Sequence, residues 1–152
     1  MWKRHRHNEC IKVALIRAEK ICLKRKCKFT PIRKKVLDLI WKSHKPIKAY
    51  DLLAQLSSQE FIEKPPTVYR ALDFLQDNHL IHRIESMNAY IGCNVEHHDS
   101  DSKFFICDEC NEVEELVEPQ VNKSLIAASK KQGFIPNIVN IEIHGTCAQC
   151  AH

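Results

Sequence analysis

The run Lys64-Pro65-Pro66-Thr67-Val68-Tyr69-Arg70-Ala71-Leu72-Asp73-Phe74-Leu75 decides the fold. Two prolines can open a helix, because the first turn does not use their missing N–H groups and their fixed φ already suits it. Val68, Leu72 and Leu75 then recur at i, i+4 and i+7, the spacing of one helix face. They are expected to pack inward, leaving Thr67, Tyr69, Arg70, Asp73 and Gln76 on the other faces, with the helix reaching about Asn78.

Upstream, Ile11, Ala14, Leu15, Ala18, Ile21 and Cys22 form the apolar side of an amphipathic helix over Ile11 to Lys26, with Lys12, Arg17, Lys20 and Lys24 facing outward. Thr30-Pro31 reads as a capped helix start, the hydroxyl covering free N–H groups, and Ile32, Val36, Leu37 and Ile40 as that helix's buried stripe. A short helix fits Ala49 to Leu56, and Ser57 to Lys64 is a polar connection. Downstream, Leu80 to Glu85 and Ala89 to Cys93 read as strands around Ser86, Met87 and Asn88. Helices followed by a β-hairpin is the order of a winged helix-turn-helix. Farther on, strands fit Phe104 to Cys107 and Val113 to Val117, a helix Pro119 to Gln132 closing at Gly133, and a strand Ile135 to His144. The expected class is α+β: a winged helix-turn-helix domain over residues 1–86, with a short basic extension, then a small α/β domain over residues 87–152.

Charge divides the same way. Residues 1–85 hold 19 basic and 9 acidic side chains, net +10, and residues 86–152 hold 4 and 10, net −6, which together give the overall +4. The first part therefore suits a polyanion and the second does not. No stretch approaches the roughly 18 consecutive apolar residues of a membrane span, and Met1 to Arg6 leads into a charged helix, so a soluble cytoplasmic protein without a membrane partner is expected. In that compartment the eight cysteines are expected to be thiols and metal ligands.

Cys107 and Cys110 form one C-x-x-C pair and Cys147 and Cys150 another, so each pair can deliver two thiolates to one tetrahedral Zn²⁺. Four thiolates leave no open position, which makes the site structural. A second set is His82, Cys93, Glu115 and either His97 or His98, with His98 preferred. Mixed nitrogen, sulfur and oxygen ligands suit a zinc that comes and goes. The bland alternatives are a surface His82, a buried apolar Cys93 and a Glu115 that is one acid among several. Cys22 reads as core, Cys10 and Cys27 as free thiols, and His5, His7, His44, His79, His144 and His152 as mostly solvated.

For nucleic acid, Arg70 offers a forked donor suited to guanine, Lys64 and Thr67 suit phosphates at a helix start, and Tyr50 opens the preceding helix. Arg33, Lys34 and Lys35 are candidate phosphate contacts. The competing reading packs Tyr69 into the hairpin and pairs Arg70 with Asp73 or Asp77.

The strings FTPIR (Phe29 to Arg33), AYDLL (Ala49 to Leu53) and KPPTVYRALDFL, followed by LIHRIES and NAYIGC, resemble the zinc uptake branch of the ferric uptake regulator superfamily, from about residue 18 to Cys150. That resemblance implies base contacts from Tyr50 and Arg70 and a phosphate grip from Lys64, Thr67 and Tyr69. It also implies a dimerisation domain knitted by Cys107, Cys110, Cys147 and Cys150, and regulatory zinc at His82, Cys93 and Glu115. Two zinc ions per subunit, a double-stranded DNA operator, a homodimer and repression of zinc uptake genes follow as expectations, with no enzymatic activity. The spacing between Cys93 and Cys107 departs from the family, and Asn111 stands where glycine is usual after the second knuckle cysteine. Alternatives are an iron, manganese or peroxide sensor of the same fold, a zinc-ribbon module that binds protein, and a zinc enzyme.

Overall fold

The computed structural model describes residues 7–43, 45–59, 64–94 and 101–151, so the candidate ligands His97 and His98 lie outside the described residues. The chain divides into two compact units, residues 1–93 and 94–152. In the first, α1 (His7–Arg25), α2 (Pro31–Lys42), β1 (Ile47–Lys48), α3 (Ala49–Ser58) and α4 (Pro65–Asp77) precede β2 (Ile81–Ile84) and β3 (Ala89–Gly92). The strands form one antiparallel sheet in the order β1-β3-β2. This is a winged helix, in which the two-residue β1 is too short to show a period in the sequence.

The helix that decides the fold behaves as its spacing requires. Val68, Ala71, Leu72 and Leu75 are buried, and they join Val36, Leu37, Ile40, Leu52 and Leu56 in a single core. The chain then reverses through His79 at φ 55, with the Leu80 N–H donating to the Leu75 carbonyl at 2.9 Å. This six-to-one bond, with a left-handed residue before it, is a Schellman ending, and it pins Leu80 beside Leu75. Lys26 at φ 54 and Gly133 at φ 68 close the first and last helices by the same bond pattern.

Three local expectations are corrected. Thr30 does stand at the start of α2, but its hydroxyl makes no capping hydrogen bond and is buried without a partner among the described residues. Arg17 does not face solvent; it is half-buried and donates to two carbonyls. The boundary expected after residue 86 falls instead after Cys93, because β3 is zipped to both β1 and β2 and cannot leave the first unit.

The second unit comprises β4 (Ser102–Cys107), β5 (Val113–Glu115), α5 (Pro119–Lys131) and β6 (Asn140–Gly145), with sheet order β5-β4-β6. β5 runs antiparallel to β4 and β6 parallel to it. The final strand begins at Asn140, where its ladder meets Ser102, and not at Ile135. Pro136 has no N–H to give a ladder. Lys103 is buried in β4 and its ammonium bonds the Asn122 carboxamide oxygen at 2.8 Å, while Asn122 donates to Asp101 at 2.8 Å. That chain ties α5 to the sheet without a large apolar contact, and α5 has no buried residue.

Gly92 is the tightest backbone position in the first unit. A Cβ there would stand 2.7 Å from Trp41 Nε1 and 2.8 Å from Trp41 Cδ2, inside any normal contact. The indole is a stiff ring packed on the core and cannot bend away. Gly92→Ala is therefore expected to cost about 1–3 kcal/mol of stability, read as a lower urea midpoint; an unchanged midpoint would show that Trp41 has room to move.

Candidate metal centres and nucleic-acid interface

The two cysteine knuckles meet because of strand register. β4 ends at Cys107 and β6 at Gly145, and these two residues are partners in the parallel ladder. The Asp108 N–H continues the ladder to the Gly145 carbonyl at 2.9 Å, which places the second knuckle directly beside the first. The long spacer between the pairs is thus taken up by β5, α5 and the crossover to β6. Each knuckle is a tight turn closed on its own first cysteine. Asn111 N–H bonds the Cys107 carbonyl at 2.9 Å, and the N–H groups of Cys150 and Ala151 bond the Cys147 carbonyl at 3.0 and 2.9 Å. Asn111 carries φ 59, so it fills the left-handed position where the family usually has glycine.

The ligand atoms of Cys107, Cys110, Cys147 and Cys150 all lie within 4.8 Å of one another, and Cys110 Sγ is 3.9 Å from Cys147 Sγ. A tetrahedron with Zn–S bonds of 2.3 Å has sulfur–sulfur edges of about 3.8 Å, so the set fits zinc. The thiols titrate against one another. Backbone N–H groups of Cys110 and Cys147 pull Cys107 down to about 6, whereas the neighbouring Cys147 thiol and burial push Cys150 up to about 12. A cation that ligates all four as thiolates resolves this conflict, and protons must compete with it.

His82 and Cys93 come together at one end of the wing. His82 lies on β2 opposite Ile91, and Cys93 follows β3 with its N–H bonded to the Leu80 carbonyl at 3.1 Å. Both residues are buried, and their ligand atoms lie within 4.8 Å of one another. His82 is buried and so is not the surface residue of the bland reading, whereas Cys93 is buried as that reading also has it, with the His82 imidazole beside it. Glu115, in the second unit, ends β5 opposite Phe104 and is half-buried.

On the first unit, Tyr50 in the first turn of α3 is 79% exposed and Tyr69 on α4 is 48% exposed. Lys64 immediately precedes α4 and is exposed with Arg70, while Thr67 is half-buried. Among the described residues Arg70 pairs with neither Asp73 nor Asp77. Arg33 is held differently. Its guanidinium stacks 3.6 Å above the centre of the Phe74 ring and donates to the Lys28 carbonyl, so its side chain also braces the α1–α2 connection. Lys34 and Lys35 have acidic neighbours in Glu19 at 3.4 Å and Asp38 at 4.0 Å.

Sequence reasoning missed two contacts here. Arg17 NH1 donates to the Cys93 carbonyl at 3.1 Å and NH2 to the His79 carbonyl at 2.9 Å. The signal was available: residue 17 is three positions after Ala14 and four before Ile21, at the margin of the buried stripe. His144, read as solvated, is exposed, with Nδ1 at 3.0 Å from an Asp108 carboxylate oxygen. His79 is half-buried too, and burial holds its imidazole below the ordinary value.

A winged helix in one unit and paired cysteine knuckles in the other define a class, the winged-helix proteins with a metal-holding second unit. Within that class the chain belongs to the ferric uptake regulator family, whose sequence profile matches residues 24–144. It is 42% identical over 137 residues to the zinc uptake regulation protein of Escherichia coli K12, spanning 90% of this chain and 80% of that one. Among solved structures, a zinc uptake regulator complexed with zinc and DNA superposes with a TM-score of 0.85 at 40% identity, covering 97% of this chain and 96% of its own. The crystal structure of holo XcZur gives 0.82 at 40% identity, covering 95% and 98%.

For the knuckle site, Cys147→Ser is expected to remove one zinc equivalent per chain and to leave β6 without its anchor, so that the second unit melts before the first. Lowering pH from neutral should release the same zinc, because each ligand must stay deprotonated. Metal analysis after dialysis checks both; full zinc retention by Cys147→Ser would contradict the assignment.

Proposed function

We propose that this chain is a zinc-responsive, DNA-binding transcriptional repressor that works in the cytoplasm as a homodimer and controls genes of zinc uptake. The observation that carries the reading is the pairing of His82 with Cys93, a buried imidazole beside a buried thiol at the end of the wing. A thiolate among nitrogen and oxygen ligands favours zinc over the harder cations. Support also comes from the relatives, one a zinc uptake regulation protein and another solved with zinc and DNA.

Two zinc ions per subunit are proposed, with different duties. The four-cysteine site is closed and holds the second unit together. The regulatory ion takes His82 and Cys93 from the first unit and Glu115 from the second, with His98 or its neighbour His97 as a fourth ligand. Such an ion would restrict the angle at which the winged helices are presented to DNA. Zinc can shift that equilibrium only through its difference in affinity for the two states, and a hundredfold gain in competent protein needs roughly 3 kcal/mol of such difference.

The DNA contacts are proposed to come from α4 and the start of α3. Tyr50 and Arg70 read base edges, and Lys64, Thr67 and Tyr69 grip phosphates, with Arg33 at the margin using donors beyond the one given to Lys28. The helix can do this because its opposite face is locked in the core. For the homodimer, the support is apolar surface on the second unit: Val117, Leu125, Phe134, Ile135, Ile138 and Ile143 are exposed, which a second copy would cover.

The test is DNA binding by chelator-treated protein as buffered free Zn²⁺ is raised, with Fe²⁺ and Mn²⁺ in parallel and Cys93→Ser as the matched variant. Wild type is expected to bind a two-fold operator only with zinc, and Cys93→Ser to lose at least tenfold of that response. Equal rescue by iron, or DNA binding indifferent to metal, would overturn the zinc-sensing reading.

A further inference from the structure

We infer that Arg17, on α1, is a positioning residue for metal capture at His82 and Cys93; the inference rests on the reading above that Cys93 is a zinc ligand. Cys93 sits where the wing's ladder runs out. Its N–H donates to the Leu80 carbonyl at 3.1 Å, one residue past the paired stretch of β3. Arg17 takes over at that point. One guanidinium nitrogen holds the Cys93 carbonyl at 3.1 Å and the other holds the His79 carbonyl at 2.9 Å, on the opposite side of the hairpin.

The backbone of Cys93 is therefore fixed on both sides of its side chain, at the N–H by the hairpin and at the carbonyl by α1. Three residues after His79 lies His82, so the same fork clamps the chain leading into the second ligand. Arg17 is in turn held by its helix, since its neighbours Ala14 and Ala18 are buried in the α1 packing face. The geometry needs a fork. Two carbonyls flanking different strands, one before β2 and one after β3, are bridged by a planar guanidinium with parallel N–H groups, whereas a lysine ammonium on a flexible stem satisfies one and leaves the other to water. Groups that hold a metal ligand in place in this way typically contribute 10- to 100-fold to affinity, because a thiol that must be ordered on binding spends part of the metal's binding energy on that ordering.

The full chain, with zinc retained in the four-cysteine site, is titrated with Co²⁺ and competed with a chelator. The thiolate-to-cobalt absorption band and the apparent affinity are read for wild type, Arg17→Met, Arg17→Lys, the exposed-residue control Lys20→Met, and Cys93→Ser. Arg17→Met is expected to bind cobalt about 10- to 100-fold more weakly with an altered band, Arg17→Lys to fall between it and wild type, and Lys20→Met to match wild type. Should Arg17→Met melt too low to titrate, Arg17→Lys keeps the charge and stem and carries the test alone. Wild-type affinity and band shape in Arg17→Lys and Arg17→Met, alongside loss of the band in Cys93→Ser, would overturn the role of Arg17 and leave Cys93 a ligand. An unchanged band in Cys93→Ser would overturn the ligand reading itself, and the inference with it.

Discussion

Four sulfur atoms crowded within a few ångströms repel as thiolates and gain little as thiols, so their arrangement makes sense only around a cation. What creates the crowding is the parallel ladder between β4 and β6. Because Cys107 is in register with Gly145, every residue added beyond the ladder lands one knuckle against the other. The remainder of the second unit serves that register: β5 lines the far side of β4, and the Asp101–Asn122–Lys103 chain fastens the crossover helix to the sheet. A unit with few buried apolar side chains can hold its shape this way, since the metal supplies what a small core does not.

The first unit solves the opposite problem. It has an ordinary core, and its task is to offer one helix face while burying the other. Val68, Ala71, Leu72 and Leu75 fix the roll of α4, and Tyr69 and Arg70 are outside as a consequence. The Schellman ending then hands the chain from Leu75 to Leu80 and into the wing, so the same apolar contact that stops the helix sets where β2, with His82 as its second residue, begins. The exposed face that carries Tyr69 and Arg70 and the buried position of His82 are thus linked through a few residues of continuous chain.

Much of this was legible in the sequence, for physical reasons that differ by element. The α4 stripe shows because a 3.6-residue period is unambiguous over a dozen residues, and the paired C-x-x-C knuckles show because their chemistry has few other uses. The two-residue β1 did not show, since no period can be read from Ile47 and Lys48. Thr30 misled because cap preference speaks of what a hydroxyl can do, and here the Thr30 backbone carbonyl alone receives the first helical bond, from Lys34. Arg17 misled for the converse reason: a charged residue at the edge of an apolar stripe is assigned to water by composition, while only the fold supplies two carbonyls within its reach. The proximity of His82 to Cys93 depends on the hairpin pairing of β2 with β3, a non-local fact that spacing in the chain does not encode.

The two ligand clusters differ in kind, one of four cysteines and the other a mixed set that includes His82 and Cys93 at the end of the wing, and the central proposal is that zinc at only the second governs DNA binding. The most direct measurement is native mass spectrometry of the chain across a range of buffered free zinc, with affinity for an operator fragment followed in the same samples. The account requires zinc to leave in two separate steps, with DNA affinity lost in the first while one ion per chain remains. Simultaneous loss of both ions, or DNA binding that persists until the last zinc departs, would contradict it.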